Sequence, residues 1–381
     1  MSDRIAPSRL LLRLEAEIVN ARSQLDADCK RAERAAYLAR LGRFEEVRKE
    51  VAELSGRHSA TPNPRVSAWL HLVLGLVGHF SDMNPAARDR VLRAYALSTA
   101  ANLPQLQALS AAWLAHMDYL QLNVASMVSR ASESLRLALT NEHSTLSRAN
   151  LVVAQAYHLA SGLDAALPWY GRARNHASAD GDEATLSALM HNMAWLRAQQ
   201  LRIKGWMQSE CVRDEGYALL GADSVATFDS MIGATNLGAL IPVLRAEIYT
   251  ARGQYDNALA LYEVNLNLAV QNGMARLHAD LMADQAWCRI NLGQTEKAQE
   301  DAVLAEELID SNGQFDDRAM AHGRLAQVFS VLGEEPKATY HRNLALKAFA
   351  GHDAIRKKIL ELLEESSETR KEQSLPKTPP Y

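Results

Sequence analysis

The amino-acid sequence predicts an all-α fold, a right-handed α-solenoid built from antiparallel helix pairs. The first observation is a pattern that returns at a fixed step, because Gly253, Gly293 and Gly333 lie 40 residues apart (293 − 253 and 333 − 293). A step in this range is typical of a solenoid in which one helix pair per unit stacks on the next. The second observation is composition, since hydrophobic residues make up 48% of the chain and aromatic residues only 6%. Alanine and leucine, both strong helix formers, account for much of the apolar content.

Helix-breaking residues divide the 381-residue chain at nearly regular intervals. We predict N-terminal helices with a first degenerate repeat over 1–60, repeated units over 61–350, a capping helix over 351–368 and a disordered tail over 369–381. The predicted breaks are Thr61–Pro64, Asn102–Pro104, Asn141–Ser144, Asp180–Asp182, Gly221–Asp223, Asn272-Gly273, Ser311–Gly313 and Gly351–Asp353. Asn272-Gly273 and Asn312-Gly313 are interpreted as helix ends in the left-handed conformation, because their flanks have helical spacing.

The helix pair around Gly253 shows how one unit is built. Leu244 and Ile248 are four residues apart and share one helical face, and Ala258 and Tyr262 do the same after the glycine. Gly253 falls between the two runs, where a tight turn favours a residue without a Cβ atom. Two antiparallel helices joined by a short turn are therefore predicted.

Charge and cysteine content limit the classes of partner and the compartment. Lys+Arg 41 against Asp+Glu 45 gives a formal net charge of −4, so nucleic acid is not the expected partner. Cys29, Cys211 and Cys288 are widely spaced, which indicates reduced, buried thiols. The longest apolar stretch, Ala68–Phe80, is shorter than the roughly 20 residues that span a bilayer, and Met1–Leu25 lacks a secretory signal pattern. We expect a cytoplasmic protein without membrane insertion.

The repeated pattern resembles the tetratricopeptide repeat (TPR). That family has small residues in both helices, a glycine at the turn and aromatic residues at set offsets, and the best-matching residues here are Ala246, Tyr249, Gly253, Tyr255, Ala258 and Tyr262. Similar sets recur as Ala286, Gly293, Ala298 and Ala305, and as Ala326, Phe329, Gly333, Ala338 and Ala345. Because the step exceeds the usual 34 residues, the chain resembles the longer-helix TPR arrays of bacterial signalling proteins. The resemblance implies a concave face that binds peptides, proteins or small signals.

The first helix of each pair faces the concave groove in this family, which places a set of polar and aromatic residues on the expected binding surface. These residues are Arg148, Gln155, His158, His191, Trp195, Asp280, Trp287, Asn291 and Gln327. The carboxylate clamp of chaperone adaptors is not predicted in the C-terminal units, since its Lys and Asn positions hold other residues. One of them is Glu247, which would repel a carboxylate.

Catalytic and metal-binding motifs are missing from the sequence. There is no phosphate-binding glycine loop, nucleophile elbow or HExxH motif, and His176, His191, Asp180 and Asp182 have no spacing typical of a metal site. We therefore expect no enzymatic activity, no cofactor and no metal. The first hypothesis is a scaffold or adaptor that binds a protein or peptide segment in its groove. The alternative is a regulator that binds a small signal or peptide and controls a separate output protein; oligomeric state is not indicated.

Overall fold

A computed structural model describes residues 8–208, 217–232, 240–310 and 313–374, and all regular structure in these ranges is helical, as predicted. The first helices are α1 (Arg9–Val19), α2 (Gln24–Arg40), α3 (Phe44–Arg57), α4 (Pro64–Asp82), α5 (Ala87–Ala100), α6 (Pro104–Leu120), α7 (Val124–Leu137), α8 (His143–Ser161) and α9 (Leu163–Asp180). They are followed by α10 (Glu183–Gln208), α11 (Tyr217–Ile232), α12 (Leu240–Ala251), α13 (Tyr255–Ala269), α14 (His278–Asn291), α15 (Thr295–Leu308), α16 (Phe315–Val331) and α17 (Glu335–Ser374). An irregular helical segment over 270–277 joins α13 to α14.

In three helix pairs, the first helix ends in the same type of turn. Gly253, Gly293 and Gly333 have φ angles of 73°, 77° and 79°. In each pair the next residue donates its backbone N–H to the carbonyl five residues earlier, as from Gln254 to Tyr249 at 2.9 Å. This is the Schellman arrangement, which satisfies carbonyls at a helix end and needs a left-handed residue. The predicted turns at the three glycines are thus confirmed, and Gly273 also has a positive φ of 111°.

Two predicted breaks are wrong, because the glycines that suggested them lie inside helices. Gly221 lies in α11, where a Cβ atom would be 3.4 Å from the Cβ of Ala194 on α10. Gly351 lies in α17, where a Cβ atom would be only 2.6 Å from the ring of Phe315. Both glycines allow close helix packing and do not form turns.

One continuous helix therefore replaces the separate capping helix predicted over 351–368. The helix α17 runs from Glu335 to Ser374 and includes the first part of the tail that we predicted to be disordered over 369–381. Residues 375–381, together with Cys211 and Asn312, lie outside the described residues. Cys29 and Cys288 are buried and free.

Even-numbered helices form one layer and odd-numbered helices pack on it. From α2 to α14, each even-numbered helix contacts both the odd-numbered helix that follows and the next even-numbered helix. The recurring alanines lie in this packed region, each at most 4% exposed: Ala246, Ala258, Ala286, Ala298, Ala305, Ala326, Ala338 and Ala345. Small side chains at these positions let neighbouring helices approach closely.

A buried ionic cluster connects four even-numbered helices. Arg202 of α10 is fully buried and lies 2.5 Å from Glu247 of α12 and 2.6 Å and 2.9 Å from Asp280 and Asp284 of α14. Arg324 of α16 lies 2.6 Å from the second oxygen of Asp284. Burial alone would lower the pKa of Arg202, but the surrounding carboxylates outweigh it and raise that pKa well above its usual range. The guanidinium is therefore charged and holds the carboxylates together.

The C-terminal helix α17 packs on α7 and α8, far from it in sequence. Arg356 donates from Nε and Nη2 to the carbonyls of Leu159 and Ala160 at 3.0 Å and 3.1 Å. These carbonyls belong to the last turn of α8, where the helix has no internal donors and a cation is favoured. At the other end of the chain, Arg9 donates to the carbonyl of Ser178 at 3.1 Å. The first and last described helices, α1 and α17, are thus bound to helices in the middle of the chain.

A pair of helix glycines provides a first test of this packing. A Cβ atom at Gly75 of α4 would lie 3.1 Å and 3.2 Å from backbone atoms of Ala87 and Val91, whereas at Gly171 of α9 it would meet nothing within 4 Å. We expect Gly75→Ala to lower the free energy of unfolding by about 1–3 kcal/mol through overpacking. Gly171→Ala should raise it by about 0.5–1 kcal/mol through helix propensity. Urea denaturation measures both, and equal effects would contradict the described α4–α5 contact.

Candidate functional site

The even-numbered helices surround a cavity of about 260 Å³. Its walls are formed by residues of α2, α4, α6, α8, α10, α12 and α16, by the 270–277 segment and by His352 of α17. Helices from the C-terminal part of the chain contact helices from its N-terminal part. The helix α17 packs on α8, and Gln314 donates a hydrogen bond to the carbonyl of Leu120 at 2.7 Å. The inner surface is thus a cavity, and differs from the open groove that the sequence suggested.

Four of the predicted site residues line the cavity together. Arg148 and Gln155 come from α8, and His191 and Trp195 come from α10. The rings of His191 and Trp195 are stacked, with centroids 6.5 Å apart. These four side chains form a continuous part of the wall on two helices that contact each other.

The other five predicted residues do not line it. His158 is buried against Tyr170, with Nδ1 3.1 Å from the hydroxyl, and Asp280 belongs to the Arg202 cluster. The remaining three, Trp287, Asn291 and Gln327, lie around α14 and α16. There Arg324 packs over Trp287 at 5.4 Å and donates to Gln327 at 2.7 Å, while Asn291 donates to the carbonyl of Trp287 at 2.8 Å.

Arg40 lines the cavity and is bonded to a buried carboxylate. Its Nη1 and Nη2 donate to the two oxygens of Asp182 at 2.9 Å and 2.8 Å, a bidentate pair. Asp182 also accepts the backbone N–H of Thr185 at 2.9 Å and so caps the start of α10. Burial raises the pKa of Asp182, but Arg40 and these hydrogen bonds outweigh it, and the net shift is downward. Asp182 is therefore ionised and fully paired.

Three histidines of the wall are uncharged at neutral pH. Burial lowers the pKa of His191 to about 4, and burial with repulsion from Arg148 lowers that of His79 to about 4 and that of His116 well below its usual range. The rings of His79 and His116 meet edge to face, with centroids 5.2 Å apart. Neutral imidazoles each offer one donor and one acceptor, so this wall provides directional hydrogen bonds without added charge.

The wall contributed by α16 is acidic. Asp316 and Asp317 line the cavity, and the guanidinium of Arg276 lies 2.9 Å from Asp317. Burial raises the pKa of Asp317 well above its usual range, despite the nearby Arg276 charge. The α16 side of the cavity thus places two carboxyl groups beside one guanidinium.

Several wall residues, among them Arg40, His79 and His116, were missed in the sequence, although a signal exists that also includes the predicted Gln155 and Trp195. Arg40, His79, His116, Gln155 and Trp195 all line the cavity and follow each other at steps of 39, 37, 39 and 40 residues, obtained by subtracting each number from the next. They occupy similar places in successive even-numbered helices. Polar residues at the repeat step, inside otherwise apolar helices, would have indicated this wall.

No model of a known protein family matches the chain, and a search of curated proteins finds no match. Within the described ranges, no group of three or more His, Cys, Asp or Glu residues is arranged to hold a metal ion. No helix of the described chain has both the length and the apolar character needed to cross a bilayer.

Proposed function

We propose that this protein is a non-catalytic cytoplasmic regulator that binds a small signal or a short peptide in its central cavity and controls a separate output protein. The observation that carries the proposal is the convergence of polar side chains from successive even-numbered helices on one cavity of about 260 Å³. Ligand sites in proteins usually measure roughly 300–1,000 Å³ and combine apolar walls with a few polar groups. A cavity slightly below that range suits a small molecule or a peptide of a few residues.

The proposed architecture behind this function is a right-handed TPR-like solenoid that curves until its last helices contact its early ones around the cavity. The alternating contacts of even- and odd-numbered helices support it, as do the matching turns at Gly253, Gly293 and Gly333. Ligand binding would favour the arrangement in which the inner helices are drawn together, and the outer helices would present that change to the output protein.

A scaffold that binds a protein segment is the second candidate. It is favoured by the cluster of Trp287, Arg324 and Gln327, which lies outside the cavity wall and leaves Trp287 half-buried. Aromatic and arginine side chains are the usual anchors of protein interfaces. This site would take an extended segment along α14 and α16.

One experiment separates the two candidates. The purified chain and the variants Trp195→Ala and Trp287→Ala are incubated with native cell extract, and retained molecules are identified by native mass spectrometry. The first proposal expects a low-mass ligand on the wild type and on Trp287→Ala, and its loss from Trp195→Ala. If the wild type retains a protein partner that only Trp287→Ala loses, and no low-mass ligand, the regulator proposal is wrong and the scaffold proposal is supported. Circular dichroism confirms that both variants are folded.

A further inference from the structure

Arg148 differs from the other buried arginines of the described chain. Arg40, Arg202 and Arg324 are each paired with a buried carboxylate. Arg148 is 3% exposed and lines the cavity, yet its side chain forms no ion pair or hydrogen bond with any described residue, and its Nε is buried without a partner. A buried charge without a counter-ion destabilises the folded state unless something else satisfies it.

The surroundings of Arg148 leave its hydrogen-bond donors available. The indole of Trp113 lies against the face of the guanidinium, 4.0 Å from its carbon to the ring centroid. A ring on the face satisfies part of the charge but does not use the N–H groups, which point outward in the guanidinium plane. The neighbouring Trp113 also contacts the ring of His116, with centroids 5.8 Å apart. The imidazole of His116 is thus on the same side of the cavity.

The local charge around Arg148 is positive. Burial, followed by repulsion from Arg40, lowers the pKa of Arg148 to about 9, so the side chain stays protonated at neutral pH. Asp182 is the carboxylate whose attraction reaches it, but both oxygens of Asp182 are bonded to Arg40. Two arginines against one carboxylate leave one positive charge, while His79 and His116 are neutral.

We propose that Arg148 anchors an anionic oxygen group of the ligand, a carboxylate or a phosphate, inside the cavity. The guanidinium donates to the anion in its own plane, as in the bidentate pairs that arginine forms with such groups. The neutral imidazoles of His79 and His116 lie on the same side as further donors, and the apolar side chains of Phe80, Leu159 and Leu196 line the space for the rest of the molecule. This inference rests on the proposed ligand-binding function and names the chemistry of its ligand: a small organic anion with an apolar body.

Anion binding is tested with defined probes on the full chain. Thermal unfolding and titration calorimetry compare benzoate, inorganic phosphate and neutral benzamide at constant ionic strength, with chloride as reference. We expect benzoate or phosphate to raise the unfolding temperature of the wild type while benzamide does not, and whichever anion acts identifies the class of group. In Arg148→Met the affinity for that anion should fall at least about tenfold, the loss of one charge-assisted hydrogen-bonded pair.

The matched control is Arg172→Met. Arg172 lies over Trp169 at 4.4 Å in a similar stack, but it is exposed and does not line the cavity. Its replacement should leave the anion response unchanged. Methionine at position 148 removes an unpaired buried charge, so the free variant is expected to stay folded, which circular dichroism checks.

The outcomes distinguish this inference from the proposed function. If neither benzoate nor phosphate stabilises the wild type more than chloride, or if Arg148→Met responds equally, the anion site is wrong. If a low-mass ligand from cell extract binds the wild type and Arg148→Met with equal affinity, only the anion site is wrong. Without any such ligand on the wild type, the regulator proposal itself is lost.

Discussion

Replacing Arg202 by methionine is expected to lower the free energy of unfolding by about 3–5 kcal/mol, because it leaves a buried ion group without its central cation. Glu247, Asp280 and Asp284 all lie within 2.9 Å of the Arg202 guanidinium and are themselves buried. Without Arg202, these carboxylates repel each other across α12 and α14, and of the three, Arg324 forms an ion pair with Asp284 alone among the described contacts. Some carboxylates would take up protons, and the helices around them would separate.

Urea denaturation of the full chain measures this loss, and Arg197→Met is the matched control. Arg197 lies on the same helix and is half-buried, and it forms no ion pair with a described residue. Its replacement should change the free energy of unfolding by less than about 0.5 kcal/mol. If both variants unfold at the same urea concentration as the wild type, the Arg202 cluster does not hold α10 to α14.

Changing Asp182 to asparagine is expected to cost a similar amount, about 3–5 kcal/mol, since it removes the charge that balances buried Arg40. Asparagine still caps a helix, so the start of α10 should survive and the loss should come from the ion pair. That pair joins α2 to α10 across 142 residues of sequence. Amide hydrogen exchange should therefore become faster in the N-terminal helices, and chemical denaturation should show the lower free energy of unfolding.

Asp164→Asn gives the comparison for this prediction. Asp164 lies in the first turn of α9, is exposed and has no ion pair with a described residue, so its replacement should cost only a few tenths of a kcal/mol. The double variant Arg40→Met, Asp182→Asn should be more stable than the sum of the two single effects predicts, because neither charge is then left alone. Strict additivity would show that the two side chains do not form a pair.

The sequence was informative where a residue has one physical reason to recur. The glycines at 253, 293 and 333 recur because a helix that ends in a Schellman turn needs a left-handed residue, and the structure has that turn at each. The all-helical class followed from the same spacing. Gly221 and Gly351 were misread because glycine also recurs where two helices approach closely, and the sequence does not separate the two uses.

The cavity was beyond prediction for a different reason. The curvature of a stacked array is the sum of small rotations between units, and no single unit encodes it. The contacts that enclose the inner surface, such as Arg356 with Leu159, join residues 197 apart. The regular spacing of Arg40, His79 and His116 indicates that they occupy equivalent faces of successive helices. It does not show that those faces surround a single cavity.

The attachment of α1 and α17 to helices in the middle of the chain has a consequence for unfolding. In a linear repeat array the terminal units fray first and the interior melts later, because each unit depends only on its neighbours. Here Arg9 binds the end of α9, while Arg356 binds the end of α8. Fraying of α1 or α17 would therefore break contacts with the centre of the chain, and thermal unfolding should approach a single cooperative transition. Deletion of α17 should therefore destabilise α7 and α8, which lie more than a hundred residues earlier in the sequence.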